Sequence, residues 1–231
     1  MSDSPIIQIA NICKSFSKGK QPTKVFDNLD LSISQGDFVA VMGPSGSGKT
    51  TLLNLLGGID RPHAGQIQVA GQRIDNLSEA ALARWRAANI GFIFQFYNLM
   101  PILTAAQNVE LPLLLTNLRK SERRKRVEAA LKLVKIEHRL RHYPCEMSGG
   151  EQQRVAIARS IISDPELLLC DEPTGDLDRD TAEDILLMLK TLNHDLRKTI
   201  ILVTHDPLAA TYARKILRLD KGRFIESELS S

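Results

Sequence analysis

Glycine and hydroxyl residues cluster directly after an apolar run at residues 38–41, which predicts a buried strand. The cluster comprises Gly43, Pro44, Ser45, Gly46, Ser47, Gly48, Lys49, Thr50 and Thr51. Glycines at this spacing let the backbone curl so that successive N–H groups point at phosphate oxygens. The helical pattern that begins at residue 50 would add its positive end. The segment therefore predicts a phosphate-binding P-loop between a strand and a helix.

Lys49 and Thr50 are the members of this cluster whose side chains would act on a bound nucleotide. The Lys49 ammonium would reach the β- and γ-phosphates. The Thr50 hydroxyl would bind Mg²⁺, which bridges the same phosphates and offsets the charge that develops in the transition state. The alternative is a Gly- and Ser-rich turn without a ligand, which the flanking strand and helix patterns disfavour. We therefore expect ATP and Mg²⁺ as cofactors.

Two adjacent carboxylates, Asp171 and Glu172, follow a second apolar run at residues 167–170. A buried strand there delivers both at its carboxyl end, the edge at which open α/β sheets place their ligands. Asp171 would orient the Mg²⁺ shell, and Glu172 would polarise a water in line with the γ-phosphate. Alone, such a pair is as often a strand that merely enters a loop. Together with the P-loop it predicts ATP hydrolysis.

A second anion-binding pattern, Ser148-Gly149-Gly150, stands at the start of a helical pattern. A hydroxyl and free backbone amides at a helix start bind an anion, or they simply cap the helix. Because the P-loop already surrounds the phosphates, a second phosphate-binding surface makes sense if it closes on the nucleotide of another copy. The pattern predicts a homodimer that holds two ATP molecules, with an ordinary N-cap as the alternative.

The elements that must position these residues follow an α/β pattern. Strand-like runs at residues 38–41, 91–94, 167–170 and 200–203 alternate with helical patterns, and the last run is apolar on both faces, as in central parallel strands. Shorter alternation in the first thirty-odd residues and at 66–73 predicts an antiparallel sheet beside the main one. Helical patterns, clearest at 121–134 and 150–162, dominate residues 96–162.

Composition excludes several classes of protein. The 231 residues are 43% hydrophobic and carry a formal charge of +3, which is too small to imply nucleic acid. The three cysteines are odd in number and form no Cys-x-x-Cys pair, so neither a disulfide framework nor a zinc site is expected. The N-terminus does not read as a secretion signal, and the apolar region 99–115 is too interrupted to cross a membrane. The basic run 119–126 fits a solvated helix face better than a lipid or nucleic-acid patch.

The P-loop, the Ser-Gly-Gly signature shortly before the Asp-Glu strand, and a later strand ending in His205 together resemble the ABC ATPase family over nearly the whole chain. The resemblance implies an α/β fold with a P-loop NTPase (RecA-like) core, an antiparallel β subdomain and a helical subdomain. We expect a single domain over residues 1–231. Within it, residues 1–95 and 163–231 would form the core with its β subdomain, and residues 96–162 the helical subdomain.

The resemblance also assigns roles to residues outside the P-loop. Gln95 resembles the glutamine that contacts Mg²⁺ and links the core to the helical subdomain, and His205 resembles the switch histidine at the γ-phosphate. With Lys49 and Glu172, they complete the expected catalytic set. Asp178 resembles the aspartate that communicates across the dimer.

Three positions bear on how closely the chain follows the family. Phe16 stands where an aromatic residue, most often Tyr, stacks on adenine, and plain packing is the alternative. Met147 replaces the usual Leu before the signature. Asp176 stands where related chains commonly carry Asn, and it places a negative charge near the expected dimer seam.

Residues 56–62, 90–101 and 108–112 resemble the branch that includes lipoprotein-release and macrolide-efflux ATPases. That branch implies a homodimer on the cytoplasmic face of the inner (plasma) membrane that drives integral membrane permease subunits, and it admits a periplasmic or outer partner reached through the permease, with no nucleic acid. The apolar stretch after Gln95 is then a docking groove for the permease, a subdomain core, or both.

The alternative functions are a soluble ABC ATPase acting on ribosomes or DNA, and a non-hydrolysing regulatory module. A single motif set without heptads, and the presence of both Glu172 and His205, argue against them.

Overall fold

The computed structural model describes residues 5–18 and 21–229, in which two β-sheets are flanked by helices. The strands are β1 (Pro5–Lys18), β2 (Gln21–Ser34), β3 (Phe38–Met42), β4 (Ala64–Val69), β5 (Gln72–Arg73), β6 (Ile90–Phe94), β7 (Leu167–Asp171), β8 (Thr199–Val203), β9 (Lys215–Asp220) and β10 (Arg223–Leu229). The α-helices are α1 (Lys49–Leu56), α2 (Glu79–Asn89), α3 (Ala105–Glu110), α4 (Lys120–Leu133), α5 (Gly149–Ile161), α6 (Arg179–Leu196) and α7 (Pro207–Ala210). Short 3-10 helices lie at Leu111–Leu115, Glu137–Arg139 and Pro144–Glu146.

The six-stranded sheet runs in the order β10-β9-β3-β8-β7-β6, and all its neighbouring strands are parallel except the β9–β10 hairpin. Every residue of β8 is buried, as the apolar run predicts for a central strand covered on both faces. In the register of the sheet, Val203 pairs with both Val41 and Asp171. The loops after β3, β7 and β8 therefore leave the sheet side by side at one edge, and they carry the predicted chemistry.

A second sheet of four antiparallel strands has the order β2-β1-β4-β5, which confirms the sheet predicted from the N-terminal alternation. Its inward side chains, among them Ile7, Ile12 and Phe26, share a core with Leu52 and Leu55 of α1. This shared core fixes the antiparallel sheet against the helix that follows the P-loop.

The helical region packs α3, α4 and α5 around a second core, in which Val109, Leu131 and Val155 are fully buried. The basic residues of α4 are mostly exposed, so the helix shows the solvated face that was expected. Within the described part of the chain, no helix combines the length and apolarity that a membrane span requires.

Helix α2 has no counterpart among the sequence-based predictions. Only Leu82 and Trp85 of its side chains are buried, so its apolar stripe is too narrow to stand out as a helical period. The signal that marks it is the cap at its start, because Ser78 accepts a hydrogen bond from the Ala81 N–H.

Candidate active site

The P-loop residues line a cavity of about 580 Å³, and Glu172 and His205 line it with them. Two glycines are sterically necessary here. Gly48 has φ 106°, and a Cβ at this position would lie 2.9 Å from the Phe26 ring. A Cβ on Gly43 would lie 2.1 Å from the Leu219 carbonyl oxygen, so the backbone of the loop approaches β9 as closely as only glycine permits.

Lys49 is buried, and its side chain curls back along the P-loop. Its Nζ donates to the carbonyl oxygens of Gly43, at 2.8 Å, and Pro44, at 3.0 Å. None of the ion pairs recorded among the described residues neutralises this ammonium. A buried cation that donates to carbonyl oxygens is suited to an anion in the adjacent cavity.

Thr50, which lines the cavity, contacts Asp171 at the end of β7, with the Thr50 hydroxyl 3.1 Å from Asp171 Oδ2. Burial raises the pKa of Asp171 above its ordinary value, and the charge of Glu172 adds to this, while the Thr50 hydrogen bond and the Lys49 charge offset it only in part. A divalent cation at this point would favour the ionised carboxylate. The donor set, one hydroxyl and one carboxylate, is of the hard oxygen type that Mg²⁺ prefers.

Glu172 and His205 form the closest polar contact of the cavity, with His205 Nδ1 2.6 Å from Glu172 Oε2. Glu172 also has a left-handed backbone with φ 48°, which is uncommon for a residue other than glycine. Its N–H donates to the Val203 carbonyl at 3.0 Å, which ties this strained residue to the end of β8.

Gln95 follows β6 and is held by Asp176, because its Nε2 donates to Asp176 Oδ1 at 3.0 Å. Gly175 lies against the same amide, since a Cβ there would be 3.0 Å from Gln95 Nε2. Gln95 is absent from the described lining of the P-loop cavity. The unusual carboxylate at 176 therefore has a partner within its own chain, a contact that the sequence pattern did not predict.

The Ser148 hydroxyl accepts from the Glu151 N–H at 3.3 Å, so it caps α5. Asp178 caps α6 through the Thr181 N–H at 3.0 Å. The two caps are adjacent, because a Cβ on Gly150 would lie 2.3 Å from the Thr181 methyl group. Of the described residues that line the P-loop cavity, none belongs to the Ser148-Gly149-Gly150 signature.

Phe16 is 45% exposed and lies near the end of β1, where it pairs with Thr23 of β2, with Lys14 against its ring. Lys14 Nζ is 5.0 Å from the ring centroid and 2.6 Å from Asp60 Oδ1. Lys14 is not among the site residues predicted from the sequence. Its signal is the i, i+2 spacing to Phe16, which places two side chains on one face of a strand.

Comparisons with known proteins agree with this geometry. The family model described as ABC transporter matches residues 26–175. The chain is 45% identical over 221 residues to the lipoprotein-releasing system ATP-binding protein LolD of Chromohalobacter salexigens, an alignment that covers 96% of this chain and 93% of that protein. It is 43% identical over 226 residues to the macrolide export ATP-binding/permease protein MacB of Marinobacter nauticus, with 98% of this chain but only 35% of that protein covered.

A solved structure resembles the whole chain. It is the dimeric ATP-binding cassette MJ0796 in a post-hydrolysis state bound to ADP and Pi, a protein of Methanocaldococcus jannaschii. The TM-score is 0.90 at 39% sequence identity, and the alignment covers 97% of this chain and 99% of that chain. The neighbour confirms the predicted ATP-binding cassette fold.

Proposed function

The chain belongs to the ABC transporter family as an ATP-hydrolysing, ATP-binding subunit, and from this premise we propose that closure of its homodimer powers a permease of the lipoprotein-release or macrolide/peptide-efflux type. The observation that carries the proposal is the cavity in which the P-loop, Glu172 and His205 meet. The relatives LolD and MacB support the branch, and the dimeric neighbour supports the homodimer.

In the proposed site, the P-loop amides and Lys49 hold the phosphates of ATP. Thr50, Asp171 and Gln95 would hold Mg²⁺, which supplies charge neutralisation at the phosphates. Gln95 reaches this role from its contact with Asp176, so the Gln95–Asp176 hydrogen bond would open when the metal binds. Phe16 would stack on the adenine with the ring face that Lys14 leaves free.

Glu172 acts as the general base that orients and deprotonates the attacking water. The 2.6 Å contact supports this role, because His205 Nδ1 fixes the rotamer of the carboxylate and leaves the imidazole at the mouth of the cavity. From there His205 would also donate to the γ-phosphate. Lys49 stabilises the charge on the transferred phosphoryl group.

The signature Ser148-Gly149-Gly150 and Asp178 act across the dimer. Their separation from the described lining of the P-loop cavity supports this, since a signature that bound its own chain's nucleotide would face that cavity. In a dimer, each signature would close on the ATP of the partner subunit. The shared packing of Gly150 and Thr181 would move both caps together.

The apolar stretch after Gln95 is proposed as the docking surface for the permease. Phe96 is 72% exposed and Ile102 is 77% exposed, whereas Ala105 and Val109 farther along are buried in the subdomain core. The buried side chains support the subdomain core, and the exposed ones support the docking surface that we propose. We propose that the chain lies on the cytoplasmic face of the inner membrane, with a periplasmic or outer partner reached through the permease. We also propose subdomain boundaries at 95/96 and 162/163.

Purification of the tagged chain from solubilised membranes tests the transport function. We expect an integral membrane protein to copurify in stoichiometric amount and to be lost when Phe96 and Ile102 are both changed to Ser. Exposed Leu196, at the end of α6, supplies the matched control as Leu196→Ser. Recovery of ribosomes or DNA in place of a membrane protein would contradict the proposal.

A further inference from the structure

Gln153 is a fully buried polar residue in the second turn of α5, and its side chain bonds to backbone outside that helix. Its amide Nε2 donates to the carbonyl oxygen of Phe94, at 3.2 Å, and to that of Pro173. These two acceptors lie 59 and 20 residues away along the chain. One amide group of α5 therefore contacts both the end of β6 and the turn after its neighbour β7.

Both acceptors are immediate neighbours of proposed site residues. Phe94 precedes Gln95 at the end of β6, and Pro173 follows Glu172 at the end of β7. Glu172 has a left-handed φ of 48°, a conformation that surrounding contacts help to hold in place. The Pro173 carbonyl is a point at which such a contact acts directly on the turn after β7.

Stability alone is a poor reason for a glutamine at this position. Its Oε1 is buried and has no hydrogen-bond partner among the described residues. An unsatisfied buried acceptor is destabilising, and this cost offsets part of what the two donated hydrogen bonds contribute to stability. What the glutamine provides, and an apolar residue would not, is the double donation to Phe94 and Pro173.

A second residue of the same helix holds the loop beyond Gln95. Arg159 donates to the carbonyl oxygens of Tyr97, at 2.8 Å, and Asn98, at 2.6 Å, both of which have positive φ. Helix α5 thus binds the backbone on both sides of Gln95. Of these contacts, only the one through Gln153 also reaches the Glu172 turn.

We propose that Gln153 is a positioning residue for hydrolysis, which holds the Glu172 turn and the start of the Gln95 loop in register with the signature helix. This inference rests on the proposed function, because it requires Glu172 to be the base. Gln153 itself does not line the described P-loop cavity. It acts through the backbone of Pro173 and Phe94.

The test compares Gln153→Met, which keeps the size but removes the donor, with Ser160→Ala on the same helix. Ser160 is also buried, but among the described residues its hydroxyl donates to the Ile157 carbonyl oxygen within α5. We expect Gln153→Met to lower kcat by about 10- to 100-fold with little change in the KM for ATP, since misplacement of a catalytic group acts on the chemical step. Thermal melting should stay close to that of Ser160→Ala. A kcat equal to that of the control would overturn the inference.

Gln153→Asn provides a second variant if the Met variant does not fold. Its shorter amide cannot span both carbonyls, so we expect an intermediate loss of kcat, and a kcat at the control level would again overturn the inference. Glu172→Gln, measured alongside, separates the two claims. If Glu172→Gln hydrolyses ATP normally, Glu172 is not the base. If Glu172→Gln is slow but the Gln153 variants are not, only the role of Gln153 is wrong.

Mixed dimers with one working site distinguish two explanations for a lower kcat of Gln153→Met: misplacement of Glu172, or damage to the signature. Gln153→Met should lower turnover when it lies in the subunit that supplies Glu172, because the Pro173 contact is within one chain. It should have little effect in the subunit that supplies only Ser148. The reverse pattern would assign Gln153 to the signature and contradict the inference.

Discussion

His205 Nδ1 lies 2.6 Å from Glu172 Oε2, although the two residues follow different strands of the sheet. The register that pairs Asp171 with Val203 sets this contact, because it brings the ends of β7 and β8 level. The imidazole is 70% exposed and the carboxylate 23% exposed, so the histidine closes over the acid from the solvent side. This contact with His205 thereby orients the Glu172 carboxylate, the proposed base.

Loss of this contact should slow hydrolysis. We expect His205→Ala to lower kcat by about 10²-fold, the lower range for a positioned acid–base group. In the double variant with Glu172→Gln, the two losses should be much less than additive, since residues that act as a unit are coupled. His194→Ala, an exposed histidine beside an aspartate, is the control. Full additivity in steady-state ATPase assays would contradict the coupling.

The carboxylate at 176 offers a test of closure. Asp176→Asn keeps an oxygen acceptor for Gln95 Nε2 but removes an exposed negative charge from the proposed seam. We expect the ATP concentration for half-maximal dimerisation to fall by about two- to fivefold, as a surface charge allows. Asp195→Asn, at the far end of α6, makes the same charge change and should have no effect. Weaker dimerisation of Asp176→Asn, measured by light scattering, would show that the charge favours closure.

Complementation tests whether the signature acts in trans. Lys49→Ala removes the P-loop cation and Ser148→Arg blocks the signature, so each homodimer should be inactive. A mixture of the two chains should recover activity, because each mixed dimer contains one site with an intact P-loop and an intact signature. Titration of one chain against the other measures this. Absence of recovery at any ratio would place both groups at the same nucleotide.

Glu151 links stability to pH at the start of α5. Burial raises the pKa of Glu151, but hydrogen bonds from the Ser148 N–H and from Arg139 outweigh burial and hold that pKa below its ordinary value. A carboxyl whose pKa is lower in the folded state stabilises the fold above the unfolded pKa, about 4.3, and loses this contribution as the pH falls through the folded pKa.

Glu151→Gln keeps an acceptor but loses the charge. We expect its free energy of unfolding at neutral pH to be lower than that of the parent chain by about 1 kcal/mol. Below about pH 4.3 the difference should shrink, because the parent carboxyl becomes neutral as well. Urea unfolding across this pH range measures it. A difference that grows as the pH falls would contradict the assigned direction.

The sequence alone predicts the features that have a local sequence pattern. The P-loop glycines, the acidic pair after β7 and the fully apolar β8 each have a pattern within a few residues, and the structure places them together. Contacts between distant segments carry no such signal: Lys14 meets Asp60 across 46 residues and Gln95 meets Asp176 across 81. These contacts depend on how the sheets pack, which no short window of sequence contains.

The central claim is that Glu172 is the general base for ATP hydrolysis. The ATPase rate of Glu172→Gln, compared with that of Glu166→Gln, tests this claim most directly. Both substitutions remove a glutamate charge near β7, but Glu166 is exposed at the opposite end of the strand from the cavity. We predict that Glu172→Gln binds ATP normally and hydrolyses it roughly 10²–10⁴-fold more slowly than the parent chain, while Glu166→Gln hydrolyses at the parent rate. Parent-level turnover by Glu172→Gln would contradict the account.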